Sequence, residues 1–214
     1  LFIDKIVCAS NENNVLTDFF NNKVYDKNRE FYLTNSPAMD ILISSNLERL
    51  LFHLADENDE TIAKWMAELS SEGKYEVTSD VKEKVLSLFD AGCCDDEETK
   101  NTIGETYKNG YLLDTHTAVA VKVYRDYIKR TGDNTPTVIA STANPYKFSA
   151  AVLSAVCDKN LDGVDEFSQV DLLKEITGEH CPEQLATLKG KSPRFTSCCE
   201  KENMIDTVYQ MLGI

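Results

Sequence analysis

The stretch that most constrains the fold covers residues 137–148, with the sequence TVIASTANPYKF. Its first four residues, TVIA, are apolar or β-branched, which is typical of a short buried strand. Asn144 and Pro145 then mark a helix start, since proline suits the first helical position. Phe148 and Val152 continue at helical spacing and would face the core. The pattern therefore predicts a strand, a turn and a helix of an α/β protein.

Two hydroxyl residues, Ser141 and Thr142, lie in the turn of this unit. In an α/β sheet, ligands bind in the crevice outside the carboxyl ends of the strands. The two hydroxyl groups would therefore lie beside a ligand. The alternative, which is favoured when these residues are considered alone, is that they only cap the following helix.

Four stretches that follow one another along the chain together resemble the threonine synthase family. They are CASNENN at residues 8–14, SPAMDI at 36–41, LDTHTAV at 113–119 and STANPYKF at 141–148. Each alone is a weak signal, whereas four ordered matches are specific. The resemblance implies an α/β fold of the tryptophan-synthase-β-like class, fold type II of the pyridoxal phosphate (PLP) enzymes, with a helical insertion. The resemblance also implies that this is the C-terminal portion of a longer enzyme, and the start at Leu1 without a methionine is what we expect of a piece of a larger protein.

The resemblance also implies which residues face the cofactor. Thr142 would hydrogen-bond the pyridine nitrogen of PLP, with Ser141 and Asn11 as further cofactor-binding candidates. Lys147 is a candidate for contact with the substrate phosphate, and a surface lysine on a helix is an equally good interpretation. His116 is a candidate for the pocket wall, although a single histidine at a helix start is more often structural. Lys147 and His116 are also the candidates for a catalytic role.

Two devices that a complete PLP enzyme needs have no counterpart in this sequence. One is a lysine that forms a Schiff base with PLP, and the other is a glycine-rich turn that cradles its phosphate. The nine glycines are never closer than six positions apart, so a turn of that type is missing. In the family, both devices precede the region that matches here. We therefore expect this chain alone to be inactive, with the N-terminal rest of the same polypeptide as its partner.

The distribution of apolar residues, taken together with the family resemblance, predicts four segments. Residues 1–44 and 111–160 would be parts of the PLP-binding α/β domain, and residues 5–9 would form a strand of the first part. Residues 45–110 would form a helical insertion with little strand signal, because apolar residues recur there at helical spacing. Residues 161–214 would be a C-terminal helical segment. The acidic run at residues 95–98 is best explained as a solvated helix start, where carboxylates are favourable.

The chain is acidic, with 22 lysine and arginine residues against 36 aspartate and glutamate residues and a net charge of −14. This balance disfavours nucleic acid or an anionic membrane as a partner, since both attract clustered positive charge. No apolar run approaches the roughly 20 residues that span a bilayer. The seven cysteines match neither disulfide nor metal-binding spacings, which indicates reduced thiols in a cytoplasmic protein and no metal site. A zinc site at His180, Cys181, Cys198 and Cys199 is the less favoured alternative.

The resemblance implies the C-terminal portion of a threonine synthase, an enzyme that would convert O-phosphohomoserine and water into L-threonine and phosphate. One alternative is a non-catalytic relative that keeps the fold to bind a metabolite or a partner. Another is a different lyase or deaminase of the same cofactor fold. The upstream sequence would separate them, since a cofactor lysine and glycine-rich loops indicate catalysis.

Overall fold

The structure, a computed structural model, describes residues 3–214. Contacts divide the chain into two compact units, Leu1–His180 and Cys181–Ile214. The boundary between the units falls between residues 180 and 181, whereas the sequence predicts a C-terminal segment that starts at residue 161. The division into four segments stays a prediction. Within the described residues, none of the helices has the length and apolar character needed to cross a membrane.

Most of the first unit is helical. Its helices are α1 (Val15–Asn22), α2 (Ser45–Leu54), α3 (Asp59–Ser71), α4 (Ser79–Leu88), α5 (Asp96–Lys108), α6 (Thr115–Thr131), α7 (Ser149–Val156) and α8 (Glu166–Thr177). The second unit contains α9 (Glu183–Ala186) and α10 (Met204–Leu212). Short 3-10 turns cover Pro37–Met39, Pro145–Phe148 and Lys201–Asn203.

The first sheet pairs β1 (Ile6–Ser10) in parallel with β4 (Phe89–Cys93). β1 agrees with the predicted strand to within one residue. β4 lies inside residues 45–110, so the expectation of little strand structure there is wrong for this stretch. Asp90 and Gly92 disfavour a strand locally, and the hydrogen-bonded ladder with β1 holds the segment extended. Helix α6 contacts both strands and covers the sheet.

The second sheet is a short antiparallel pair, β2 (Val24–Asp26) and β3 (Lys74–Glu76). Tyr25 lies opposite Tyr75 in this pair, and their rings stack with centroids 5.4 Å apart. The ring of Trp65 from α3 stacks on Tyr75 at 6.0 Å. These aromatic side chains tie the small sheet to the helices, because each buries a large apolar area.

The main core lies among α1–α4 and the second sheet. The predicted helical stripes are buried there, which confirms the helices expected in residues 45–110; the stripe residues are Leu47, Leu51, Ile62, Trp65, Leu69, Val81 and Val85. The acidic run at residues 95–98 also begins a helix, as predicted. Asp95 caps α5 by accepting the Glu98 N–H at 2.8 Å, and the Glu98 side chain returns to the Asp95 N–H.

Residues 132–144 carry no helix or strand, so the predicted strand at residues 137–140 is wrong. Val138 is 95% exposed, although it is apolar and β-branched. A strand needs a neighbour for its backbone N–H and C=O groups, and among residues 3–214 the sheets contain only β1–β4. The predicted helix start is present as the turn Pro145–Phe148 followed by α7. The Asn144 side chain caps it by accepting the Tyr146 N–H at 3.0 Å.

Candidate functional site

Asn11 lies in the turn after β1 and is 2% exposed. Its Nδ2 lies 2.7 Å from Thr34 Oγ1, 3.0 Å from Ser36 Oγ and 2.7 Å from Asp40 Oδ1, and its Oδ1 accepts the Asn13 N–H at 3.0 Å. The side-chain amide thus holds the loop that carries the SPAMDI motif. Contact of Asn11 with a cofactor stays a prediction.

His116 lies in the first turn of α6 and joins two other motifs. Its Nε2 accepts the backbone N–H of Ala38 at 3.1 Å. Its ring lies 4.6 Å from the ring of Phe148, measured between centroids. Because a backbone amide only donates, Nε2 must carry a lone pair, and the ring proton must sit on Nδ1. His116 therefore links the turn at Pro37–Met39 to the turn at Pro145–Phe148.

Asp114 caps α6 and is 2% exposed. Its Oδ1 accepts the backbone N–H of His116 at 2.9 Å and that of Thr117 at 3.2 Å, and its Oδ2 accepts the hydroxyl of Thr117. Burial alone would raise the pKa of this carboxyl, but hydrogen bonds from His116 and Thr117 outweigh burial and lower it. Asp114 therefore stays ionised under ordinary conditions. The sequence assigned it no role, although an aspartate just before an apolar helix is a cap signal.

Ser141 and Thr142 lie on the irregular segment before the turn at Pro145, and both are exposed. The Ser141 Oγ is 3.0 Å from the Oγ1 of Thr117 on α6. This contact connects the STANPYKF motif to the LDTHTAV motif. The assignment of either hydroxyl to a cofactor comes from the family resemblance and stays a prediction.

Lys147 lies in the turn Pro145–Phe148 and is exposed. Its backbone N–H donates to the Asn144 C=O at 3.0 Å, which fixes the backbone at this position. The neighbouring Tyr146 is buried and donates its hydroxyl to the Glu179 C=O at 2.7 Å. The turn therefore presents the lysine on its outer side while its other residues are anchored.

The structure joins the four sequence motifs into one network. Asn11 of the first motif binds Ser36 of the second, and Ala38 of the second binds His116 of the third. The third motif reaches the fourth through Thr117 and Ser141 and through the rings of His116 and Phe148. Among residues 3–214, no group of three or more histidine, cysteine, aspartate or glutamate side chains is placed to hold a metal ion.

Comparison with known proteins agrees with the family resemblance of the sequence. The family model described as "Threonine synthase, C-terminal" matches residues 117–208. Threonine synthase of Saccharomyces cerevisiae is 36% identical over 204 residues, which cover 88% of this chain and 38% of the yeast protein. Threonine synthase-like 1 of Homo sapiens is 40% identical over 174 residues, which cover 80% of this chain and 23% of the human protein. The chain thus spans well under half the length of these relatives.

A solved structure extends the likeness to the fold. The crystal structure of PLP-bound threonine synthase from Brucella melitensis superposes with a TM-score of 0.68 at 29% sequence identity. The match covers 82% of this chain and 41% of the Brucella chain. This likeness confirms the predicted fold class, an α/β fold of type II among PLP enzymes.

Proposed function

Because this chain belongs to the threonine synthase family and aligns with its C-terminal portion, we propose that it forms part of the cofactor site of a PLP-dependent threonine synthase. The complete polypeptide would convert O-phosphohomoserine and water into L-threonine and phosphate. The observation that carries the proposal is the hydrogen-bonded network that joins all four motifs. Within that network, Thr117 of the third motif lies 3.0 Å from Ser141, which is exposed together with Thr142.

The residues present fit the pyridine end of PLP. An exposed hydroxyl is a neutral partner that can donate to an aromatic nitrogen, and Thr142 supplies one. The carboxylate of Asp114 is turned to Thr117 and to the backbone of α6, so it is engaged away from such a ligand. PLP, when bound, supplies an electron sink for carbanion chemistry at the substrate.

The chain's own residues would orient the reacting groups and supply positive charge. Thr142 would hold the ring nitrogen, and His116 with Phe148 would form a wall beside the turn that carries Lys147. The exposed ammonium of Lys147 would attract the phosphate of the substrate, since a fixed positive charge stabilises a leaving phosphate. A cofactor lysine and a phosphate-binding turn would come from the remainder of the polypeptide. We also propose the cytoplasm as its location, in keeping with amino-acid biosynthesis.

The test is activity of the complete polypeptide with PLP. We expect release of phosphate and formation of threonine from O-phosphohomoserine. Borohydride reduction followed by peptide mapping should then place the pyridoxyl group on a lysine outside residues 1–214. Labelling of one lysine within this chain at full stoichiometry would contradict the proposed division of the site.

A second candidate is a binding protein that keeps the fold without the reaction. The observation that favours it is the 40% identity to threonine synthase-like 1, against 36% to the yeast threonine synthase. A complete polypeptide that binds PLP yet releases no phosphate from O-phosphohomoserine would support this candidate over the enzyme.

A further inference from the structure

The turn at Pro37–Met39 is held by a side chain that lies far away in the sequence. The N–H groups of Met39 and Asp40 donate to C=O groups of the turn and of the residue before it. The N–H of Ala38 instead donates to His116 Nε2 at 3.1 Å, across a separation of 78 residues. The first N–H groups of a helical turn find no partner within it, so His116 supplies the acceptor for Ala38 from another element.

The ring of His116 lies between this turn and the one that carries Phe148. The side chain is 13% exposed, and the ring centroids of His116 and Phe148 are 4.6 Å apart. On the third side, Nδ1 lies 3.2 Å from Thr115 Oγ1 and 3.4 Å from Asp114 Oδ1. The Ala38 N–H, the His116 ring and the Phe148 ring together are called the His116 bridge below.

The His116 bridge needs a neutral imidazole. Nε2 accepts the Ala38 N–H only while it has a lone pair, and the ring proton is then on Nδ1. A second proton must therefore go to Nε2, where it uses the lone pair and sets two N–H groups against each other. The hydrogen bond to Ala38 is then lost. Histidine is the side chain whose unperturbed titration falls between about pH 5 and 8, so this change belongs to an ordinary pH range.

The other contacts of the ring hold it in place when it is protonated. The carboxylate of Asp114 lies 3.4 Å from Nδ1 and attracts a positively charged ring. The π-system of Phe148 also attracts a cation at this distance. Protonation therefore releases the turn at Pro37–Met39, while the His116 ring stays against Phe148.

The titratable groups of the elements packed against the ring are few. The turn at Pro37–Met39 contains none, and the carboxylate of Asp40, which follows it, accepts hydrogen bonds from three other side chains. The other turn contributes Tyr146, whose hydroxyl donates to a backbone C=O, and the exposed Lys147. At the start of α6, the group is Asp114. Of these four groups, the structure places Asp114 in direct contact with the ring.

We propose that His116 is a positioning residue whose neutral ring holds the turn at Pro37–Met39 to the turn at Pro145–Phe148. Uptake of a proton on Nε2 releases the Ala38 N–H and, with it, the first of these turns. The released turn lies within residues 36–41, one of the four motifs of the candidate site, so protonation loosens one side of that site. The His116 bridge is independent of any ligand, whereas its effect on catalysis rests on the proposed function.

Nuclear magnetic resonance of the complete polypeptide, labelled with ¹⁵N in histidine and alanine, tests the bridge directly. At about pH 8, the His116 ring should be the Nδ1–H tautomer, and a coupling through the hydrogen bond should join Nε2 to the amide nitrogen of Ala38. As the ring becomes protonated, the coupling should vanish and the hydrogen-exchange protection factor of the Ala38 amide should fall about tenfold, the effect of one hydrogen bond.

Three results of this titration would overturn the proposal. One is an Nε2–H tautomer of His116 at about pH 8, and another is a ring that stays neutral down to about pH 5. The third is an Ala38 amide that keeps its protection factor after the ring is protonated.

Two variants separate the hydrogen bond from the rest of the side chain. In His116→Gln, the amide Oε1 is an acceptor that does not titrate, so the Ala38 amide should stay protected throughout the pH range. His116→Leu has no acceptor, so the protection factor should be low at every pH. Both substitutes are good helix formers, as the first turn of α6 requires. A fall of Ala38 protection with pH in His116→Gln would assign the release to another group and overturn the proposal.

Activity gives a readout that depends on the proposed function. We would measure kcat/KM for O-phosphohomoserine against pH in the complete polypeptide and in its His116→Gln variant. A phosphate monoester itself titrates near about pH 6, and the ratio of the two profiles cancels that contribution. The ratio of original to variant should fall about tenfold as the His116 ring becomes protonated. A constant ratio would overturn the positioning role. Inactivity of the original polypeptide at every pH would instead refute the proposed function, and the result for the Ala38 amide would still stand.

A matched control is available on α2. His53 also lies beside a carboxylate, with its Nδ1 3.6 Å from Glu57 Oε1, but its side chain is 62% exposed. His53→Gln should leave both the Ala38 protection factor and the pH profile of kcat/KM as they are in the original polypeptide. The changes expected for His116→Gln, if His53→Gln produced them too, would show a general effect of removing a histidine and overturn the assignment to His116.

Discussion

Replacing Lys23 by methionine should stabilise the chain, because this lysine buries an amine that lacks a partner. Lys23 is 0% exposed. Among the buried side-chain nitrogen and oxygen atoms of residues 3–214, its Nζ is the one that has no hydrogen-bond partner. Its backbone is held where α1 ends, with its N–H donating to the Phe19 C=O at 2.7 Å and a φ of 67°. Methionine at this position would share the positive φ, so the backbone strain cancels in the comparison.

The expected gain follows from the unsatisfied atom. A buried polar group without a partner costs about 1–3 kcal/mol, and an unbranched methionine can fill the space of the lysine stem. Lys23→Met should therefore raise the free energy of unfolding by about 1–3 kcal/mol. For a chain of this length, that corresponds to a rise in melting temperature of roughly 2–10 °C.

The gain should also depend on pH. Burial, and to a smaller extent the charge of Lys82, lowers the pKa of Lys23 from its ordinary 10.5. Between the two pKa values, the unfolded chain binds more protons than the folded chain, so stability rises with pH in that range. As the pH falls from about 10.5, the original chain therefore loses stability and the advantage of methionine grows. Below the lowered pKa, the difference should stay constant.

Urea unfolding followed by tryptophan fluorescence measures this effect directly. Trp65 is the single tryptophan and is 3% exposed in the core formed by α1–α4. Lys100→Met removes the same charge from an exposed position on α5 and should change stability by less than about 0.5 kcal/mol. If Lys23→Met gave no gain, or a loss, while the Lys100 control was neutral, the reasoning from an unpartnered amine would be refuted.

Three further predictions concern packing, titration and the substrate. Gly104→Ala would place a Cβ 2.8 Å from the Ala155 C=O oxygen, so the free energy of unfolding measured in urea should fall by about 1–3 kcal/mol. An unchanged free energy of unfolding would contradict this close contact of α5 with α7. The hydrogen bond from Tyr127 lowers the pKa of Asp133 to about 2, so Tyr127→Phe should raise it in an NMR titration; an unchanged pKa would exclude that cause. In the complete polypeptide, Lys147→Met should lower kcat/KM for O-phosphohomoserine at least about 30-fold without changing PLP absorbance. An unchanged kcat/KM would place Lys147 away from the substrate phosphate.

The sequence contained the four motifs of the candidate site, but it did not predict the hydrogen bonds that join them. Asn11, His116, Ser141 and Thr142 were predicted as candidate site residues from the family resemblance of their motifs. Thr117 and Ser141 meet from segments that are distant in sequence, and such a contact is set by tertiary packing, so no local pattern reports it. The bonds from the backbone N–H groups of His116 and Thr117 to Asp114 are local cap contacts instead.

Local signals determined most helices, because helix hydrogen bonds and caps involve neighbouring residues. Thus Gly132 follows the last residue of α6 and Gly178 follows that of α8, each with the left-handed backbone that glycine adopts without strain. Strands followed a different rule, because their hydrogen bonds go to distant residues. Residues 89–93 have a weak strand signal yet pair with β1, whereas residues 137–140 have a strong signal and no partner strand among residues 3–214.

Burial of single polar residues was also decided only by the tertiary structure. Lys23 follows the polar end of α1 and resembles a surface lysine in sequence, yet it is enclosed by the fold. Gly92 gives no local sign of its role, but a Cβ at this position would lie 2.9 Å from Val123 Cγ1 of α6. A sequence records the preference of each residue for water or for a backbone conformation. Which surfaces meet depends on the tertiary packing of the whole chain. This packing decides at which residues the local preference is not followed.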